Sequence, residues 1–140
     1  MIVAHGGLAR EYLSAVEHVV GPQAGIRAVA IEDMHDRDAK QAEIREATDS
    51  VDQGDGVVVV TDIFGGSPSN LSMPACMMQN RVILYGANLP MLLKLAKTRN
   101  LPLGDSIVYA KEAGRKYINS YEVPPGMSSP VTSVNGKTPS

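Results

Sequence analysis

Cysteine is all but absent: Cys76 is the only one in 140 residues, so an internal disulfide and a cysteine-rich zinc site are both excluded. An excess of positive charge is also lacking. Thirteen Lys and Arg stand against fifteen Asp and Glu, a net charge of −2, with a pI near 5.9. A chain built to hold nucleic acid carries a basic face, and no such partner is expected here. No apolar run approaches the roughly 18 residues of a membrane span. The first residues also lack the basic-then-apolar pattern of a secretory signal. These absences point to a soluble domain of a reducing, cytoplasmic compartment. What is present is ordinary: hydrophobic residues make up 44% and charged residues 20%, the profile of a globular chain. At 140 residues, one domain with a core independent of disulfides or metal is expected.

Short β-like runs alternate with helical stretches over residues 1–122. Ile2-Val3-Ala4 is a strand ending at His5-Gly6-Gly7. Leu8 to Val20 follows as an amphipathic helix, with Leu13, Val16 and Val20 at spacings of three and four and Gly21-Pro22 as its stop. Ile26–Ile31 reads as a second strand and 39–52 as a second helix, with Asp38 as its cap. Val57-Val58-Val59-Val60 is a continuous β-branched run, the mark of a parallel strand covered on both faces. Ser67 as cap and Pro68 at the first helical position open a third helix, which Pro74 should shorten or kink. Val82–Tyr85 reads as a fourth strand and Pro90–Lys97 as a fourth helix. Asp105 or Ser106 caps a final helix running through Tyr117 and Ile118. This order predicts a doubly wound α/β domain, a mainly parallel sheet with helices on both faces. Residues 123–140 are rich in Pro, Ser and Thr and read as a flexible tail.

In an open parallel sheet, ligands sit outside the carboxyl ends of the strands, where strand order reverses. Three strand ends carry unusual residues: His5-Gly6-Gly7, Asp62 with Gly65-Gly66-Ser67-Pro68, and Gly86-Ala87-Asn88-Leu89-Pro90. The glycines after His5 let a bulky group approach the imidazole and free backbone amides at a helix start, which suits an anion. An imidazole there serves as base, nucleophile or metal ligand. Asp62 is its natural partner: a carboxylate accepting the Nδ1 proton leaves Nε2 as the free nitrogen. The loop after Asp62 offers amides, a hydroxyl and a helix start to an anion. It matches neither the P-loop nor the dinucleotide fingerprint, so no nucleotide cofactor is expected. His18 and His35 read as solvated. A metal centre from His5, Asp62 and His35 fits no ligand spacing, and no metal is expected. Cys76 reads as a core thiol, and Met73, Met77 and Met78 as helix packing.

Taken together, His5-Gly6-Gly7-Leu8-Ala9, Thr61-Asp62-Ile63-Phe64-Gly65-Gly66-Ser67-Pro68-Ser69-Asn70 and Gly86-Ala87-Asn88-Leu89-Pro90-Met91-Leu92 resemble the mannose-family enzyme IIA domain. That domain is a phosphocarrier of the bacterial phosphoenolpyruvate:sugar phosphotransferase system. The similarity spans about residues 2–122. It implies a doubly wound α/β fold, a homodimer and a phosphotransferase relay for sugar uptake. In that relay His5 takes a phosphoryl group on Nε2 from the carrier HPr and passes it to an enzyme IIB. Asp62 would be the orienting acceptor, with Ser67 and the amides of Gly6, Gly65 and Gly66 around the phosphoryl oxygens. No cofactor is implied, and the membrane is met only through a permease complex. Residues 123–140 hold the place of the linker in fused family members, so a separate IIB protein is expected. Two other functions share the same site: a regulator read through its phosphorylation state, and the phosphocarrier of the dihydroxyacetone kinase system. The resemblance has two departures: only four residues precede His5, and Pro74 falls in the third helix.

Overall fold

Four short apolar runs line up side by side in the computed structural model, which describes residues 1–78 and 80–127. In chain order the strands are β1 (Ile2–His5), β2 (Ala28–Ile31), β3 (Val57–Thr61) and β4 (Arg81–Tyr85). The helices are α1 (Leu8–Val20), α2 (Arg37–Val51), α3 (Ser67–Ser72), α4 (Leu89–Lys97) and α5 (Leu103–Lys116), with a 3₁₀ turn at Met73–Cys76. All strand pairs are parallel, in the order β2-β1-β3-β4. The chain leaves β1 for β2 on one side and returns for β3 on the other. The reversal therefore lies between β1 and β3.

Both faces of the sheet are covered, as the unbroken valine run of β3 requires. Val3, Val29, Ile31, Val57 and Val59 pack against Ile44 and Ala47 of α2 and Leu71 of α3. On the opposite face Ile2, Ala4, Val60 and Leu84 pack against Ala9 and Val16 of α1, Met91 and Leu92 of α4, and Ala110 of α5. β1 is only four residues long, but it is central and bonds to both neighbours.

The boundaries differ from the sequence reading in instructive places. β2 starts at Ala28 rather than Ile26. α2 starts at Arg37, and its cap is Asp36, whose side chain accepts from the Ala39 amide; Asp38 sits in the first turn. Two acidic residues stood near that helix start, and only the extended backbone of Asp36 gives cap geometry. Gly66, not Ser67, holds the cap position of α3. α5 begins directly after Pro102, three or more residues before the expected cap, and ends at Lys116. Ser106 is instead buried inside α5, its hydroxyl bonded to Thr98. As expected, Pro74 stops α3, and the chain continues as the 3₁₀ turn.

The methionines are the clearest reversal: Met73, Met77 and Met78 are exposed. The 3₁₀ turn lies beyond the edge of the core and turns only Ala75 fully inward and Cys76 partly so. Residues 123–127 carry no regular structure, and the remainder of the tail, 128–140, lies outside the described residues.

One buried charge ties the sheet edge to α2. The Arg81 side chain is 3% exposed and meets Asp49 at 2.7 Å and Asp52 at 3.0 Å, and it also donates to the Ala75 carbonyl. Asp49 and Asp52 crowd the negative end of α2, whose last turn holds no basic residue, so the guanidinium offsets an unfavourable charge–dipole arrangement. Deleting one member of a fully buried pair costs about 3–5 kcal/mol, because the survivor is stranded. Here both carboxylates reach water, so Arg81→Met should lower stability by about 2 kcal/mol, read from the urea midpoint. The amide of Gly54 and the guanidinium of Arg81 hold the Asp52 carboxyl below its usual range. That stabilisation is present above the unfolded carboxylate pKa and is lost as the pH falls through the lower folded value. Arg81→Met should therefore lose less stability on acidification than the parent.

Candidate functional site

The reversal between β1 and β3 brings two strand ends together. Val3 is in register with Thr61, so the last residues of β1, Ala4-His5, run alongside Asp62-Ile63, which follow directly on β3. His5 Nδ1 lies 2.8 Å from Asp62 Oδ2. The same oxygen accepts the His5 backbone amide at 3.2 Å, while Oδ1 accepts the Ile63 amide at 3.0 Å. Burial pushes the Asp62 carboxyl up, but the His5 ring and the two amides pull it down further, leaving it below its usual range. An ionised carboxylate only accepts, so the ring proton sits on Nδ1 and the Nε2 lone pair is free. The imidazole is about half exposed, whereas Asp62 is only 11% exposed. The half-exposed ring is held by a carboxylate anchored below it.

The glycine loops shape the space around that nitrogen. Gly66 has an ordinary backbone, but a Cβ there would lie 3.0 Å from His5 Cε1 and 3.3 Å from Nε2. The loop passes against this edge of the ring, and a side chain at 66 would press on the imidazole. Gly6 and Gly65 have φ of +56° and +89°, values that side-chain-bearing residues avoid. The amides of these two glycines are already engaged. Gly6 donates to the Ile31 carbonyl at 2.7 Å, and Gly65 donates to Ser69 Oγ at 2.9 Å. The Ser67 side chain is exposed beside the ring-facing Gly66. Among the expected anion contacts, the amides of Gly6 and Gly65 thus have partners within the protein, and Ser67 is exposed.

The third strand end braces the site without adding a reactive side chain. Gly86 and Ala87 donate their amides to the carbonyls of Asp62 and Thr61. Asn88 caps α4 through the Met91 amide and reaches the Gly114 carbonyl of α5. Tyr12, which the sequence reading passed over, donates its hydroxyl to the Ala87 carbonyl at 3.0 Å. Burial and then the Asp62 carboxylate push its phenol pKa up. Its helical spacing had marked it only as part of α1. Ile63, Phe64 and Tyr85 form an exposed apolar rim, with the two rings tilted against each other at a centroid distance of 4.8 Å.

His18 is exposed on α1. His35 is half-buried, with Nδ1 on the Glu32 carbonyl at 2.8 Å, so it is more fixed than expected. Among the described residues, no three His, Cys, Asp or Glu side chains gather to hold a metal. No helix there is long and apolar enough to cross a membrane.

The family model EIIA-man, described as PTS system fructose IIA component, matches residues 1–110. Solved structures with the same fold include a mannose/sorbose specific IIA subunit of a phosphotransferase system from Enterococcus faecalis. It is 22% identical with a TM-score of 0.78, covering 88% of this chain and 93% of that one. A phosphotransferase system component EIIA from Streptococcus agalactiae is 23% identical with a TM-score of 0.72, covering 85% and 93%. A PTS IIA protein associated with a fucose utilization operon in Streptococcus pneumoniae is 22% identical with a TM-score of 0.67, covering 84% and 89%. The doubly wound parallel architecture read from the sequence is the architecture they share. No curated protein matches the chain.

Gly66→Ala tests how closely the loop guards the ring. The backbone accepts alanine, so the protein should fold, but the new methyl group displaces the imidazole and lengthens its bond to Asp62. The Asp62 carboxyl then titrates at higher pH than in the parent, which carboxyl ¹³C NMR against pH will show. An unchanged Asp62 titration would mean that the loop has room to spare.

Proposed function

The chain belongs to the EIIA-man family, PTS system fructose IIA component, and from that premise we propose that it carries a phosphoryl group on His5. It accepts the group from phospho-HPr and passes it to an enzyme IIB in a cytoplasmic sugar-uptake relay. The observation that supports this most is the 2.8 Å contact between His5 Nδ1 and Asp62, which leaves Nε2 free on the open side of the site.

The chemistry follows from that tautomer. The Nε2 lone pair attacks phosphorus in line as the donor's N–P bond breaks, and the bonding electrons stay on the donor imidazole. The His5 ring, now bonded to phosphorus at Nε2 and to a proton at Nδ1, becomes cationic. The Asp62 carboxylate beside it stabilises that cation. The Gly66 amide and the Ser67 hydroxyl are the groups nearest to hand for the phosphoryl oxygens. Gly6 and Gly65 supply the backbone turns that open the space. Transfer to enzyme IIB reverses the sequence: the Nε2–P bond breaks, its electrons return to His5, and the proton remains on Nδ1 throughout.

The same proposal includes a homodimer. β4 is an outer strand of the sheet, with Val82 and Tyr85 exposed on it. Tyr117, Ile118 and Tyr121 are exposed just beyond α5. Bare strand edges and apolar surface of this kind are covered by association. Light scattering at micromolar concentration should give about twice 14.9 kDa, and the monomer mass would contradict the dimer.

Incubation with phosphoenolpyruvate, enzyme I and HPr should add one acid-labile, base-stable phosphate per chain. His5→Ala should abolish the label, while His18→Ala and His35→Ala retain it; label surviving in His5→Ala would refute the assignment. Asp62→Asn places an amide where the carboxylate was and favours the wrong tautomer. Loss of the orienting carboxylate in the serine-protease triad costs about 10⁴ in rate. The imidazole here is itself the nucleophile and can reorient, so a loss of roughly 10²–10³ is expected. Circular dichroism should remain that of the parent. Removal of residues 123–140 should leave labelling intact.

A further inference from the structure

A cavity of about 230 Å³ opens at the pole of the sheet opposite His5. Ile26, Leu95, Ala96, Leu101 and Leu103 supply its open apolar walls, with the packed core side chains of Ile2 and Leu92 behind them. Ile2 is three residues from His5 along β1, roughly 10 Å at strand rise, so the cavity is separate from the site above. Two side chains of opposite charge stand among its lining residues, Arg99 and Asp55. Both are exposed, and neither has an ion-pair partner among the described residues. Arg99 donates to the Ala24 carbonyl and passes against Gly25, where a Cβ would sit 3.4 Å from its guanidinium. It is thus held at the cavity with most of its donors unused.

We propose that this cavity binds a small α-amino acid with an apolar side chain. The carboxylate would meet Arg99, the ammonium would meet Asp55, and the side chain would enter between α4 and the sheet. Each part of the ligand answers a separate feature. The walls favour an alkyl group, and the volume equals that of about eight water molecules, room for a leucine-sized ligand. A simple carboxylate would meet Arg99 but leave Asp55 facing like charge, and a simple amine would do the reverse. A zwitterion offers an opposite charge to each of the two side chains. Glycine lacks the alkyl group that fills the interior.

Binding is read from ¹H–¹⁵N spectra of the full chain titrated with L-leucine. Saturable shifts are expected at Ile2, Ala96 and Arg99. Two analogues of similar shape, 4-methylpentanoate without the ammonium and 3-methylbutylamine without the carboxylate, should each bind at least about tenfold more weakly. Arg99→Gln and Asp55→Asn should each weaken leucine by about tenfold, and Ala96→Phe should abolish binding by filling the interior. Should Ala96→Phe not fold, the two charge variants at exposed positions still decide the matter. Absence of saturable leucine shifts would overturn the proposal. So would an analogue binding as tightly as leucine, or leucine binding that neither charge variant weakens.

Discussion

Everything distinctive about this chain hangs on one carboxylate. Asp62 Oδ2 accepts hydrogen bonds from both the ring N–H and the backbone amide of His5, and Oδ1 accepts one from the Ile63 amide. A side chain held at three points cannot easily rotate, and so it dictates both the tautomer and the tilt of the imidazole. That arrangement exists because β1 and β3 are neighbours although they are not consecutive in the chain. If β3 had paired outside β2, the same two residues would stand a full strand farther apart. The parallel crossover is thus a chemical constraint as well as a folding one.

Around that pair the backbone carries more of the design than the side chains do. Gly66 has no conformational need to be glycine; it is there because the His5 ring occupies the space a methyl group would take. Gly6 and Gly65 are there for their left-handed turns, and their amides are tied into the sheet and to Ser69. The loop after β4 is pinned by hydrogen bonds from its amides to the Thr61 and Asp62 carbonyls and by one from the Tyr12 hydroxyl to Ala87. Rigid support under an exposed imidazole suits the proposed transfer between proteins, in which the partner would bring the other half of the reaction geometry.

Much of this was legible in the order of residues, for identifiable reasons. The β-branched valine run 57–60 reads as a strand covered on both faces, and the Gly and Pro residues at 21, 22, 65, 68 and 74 punctuate their elements by backbone sterics alone. His5 and Asp62 each end a strand, so the topology rule for open sheets suffices to pair them. The parts that were hidden depend on direction. Spacing does not say where an N–H points, so the engaged amides of Gly6 and Gly65 were invisible. Asp36 and Asp38 are chemically equal candidates for one cap, separated only by backbone dihedrals. Met73, Met77 and Met78 have core-like composition, but a 3₁₀ turn at the sheet edge has too little core to receive them. Tyr12 sits at a helical position that says nothing about its hydroxyl.

The central claim is that Asp62 keeps the proton on Nδ1 and offers Nε2. The most direct test is long-range ¹H–¹⁵N NMR of the chain labelled in its histidine rings, recorded after phosphorylation by phosphoenolpyruvate, enzyme I and HPr. The account requires phosphorus coupling at Nε2 of His5, with Nδ1 still protonated. Phosphorus on Nδ1 would mean that the carboxylate does not set the reactive nitrogen, and would contradict the account at its root.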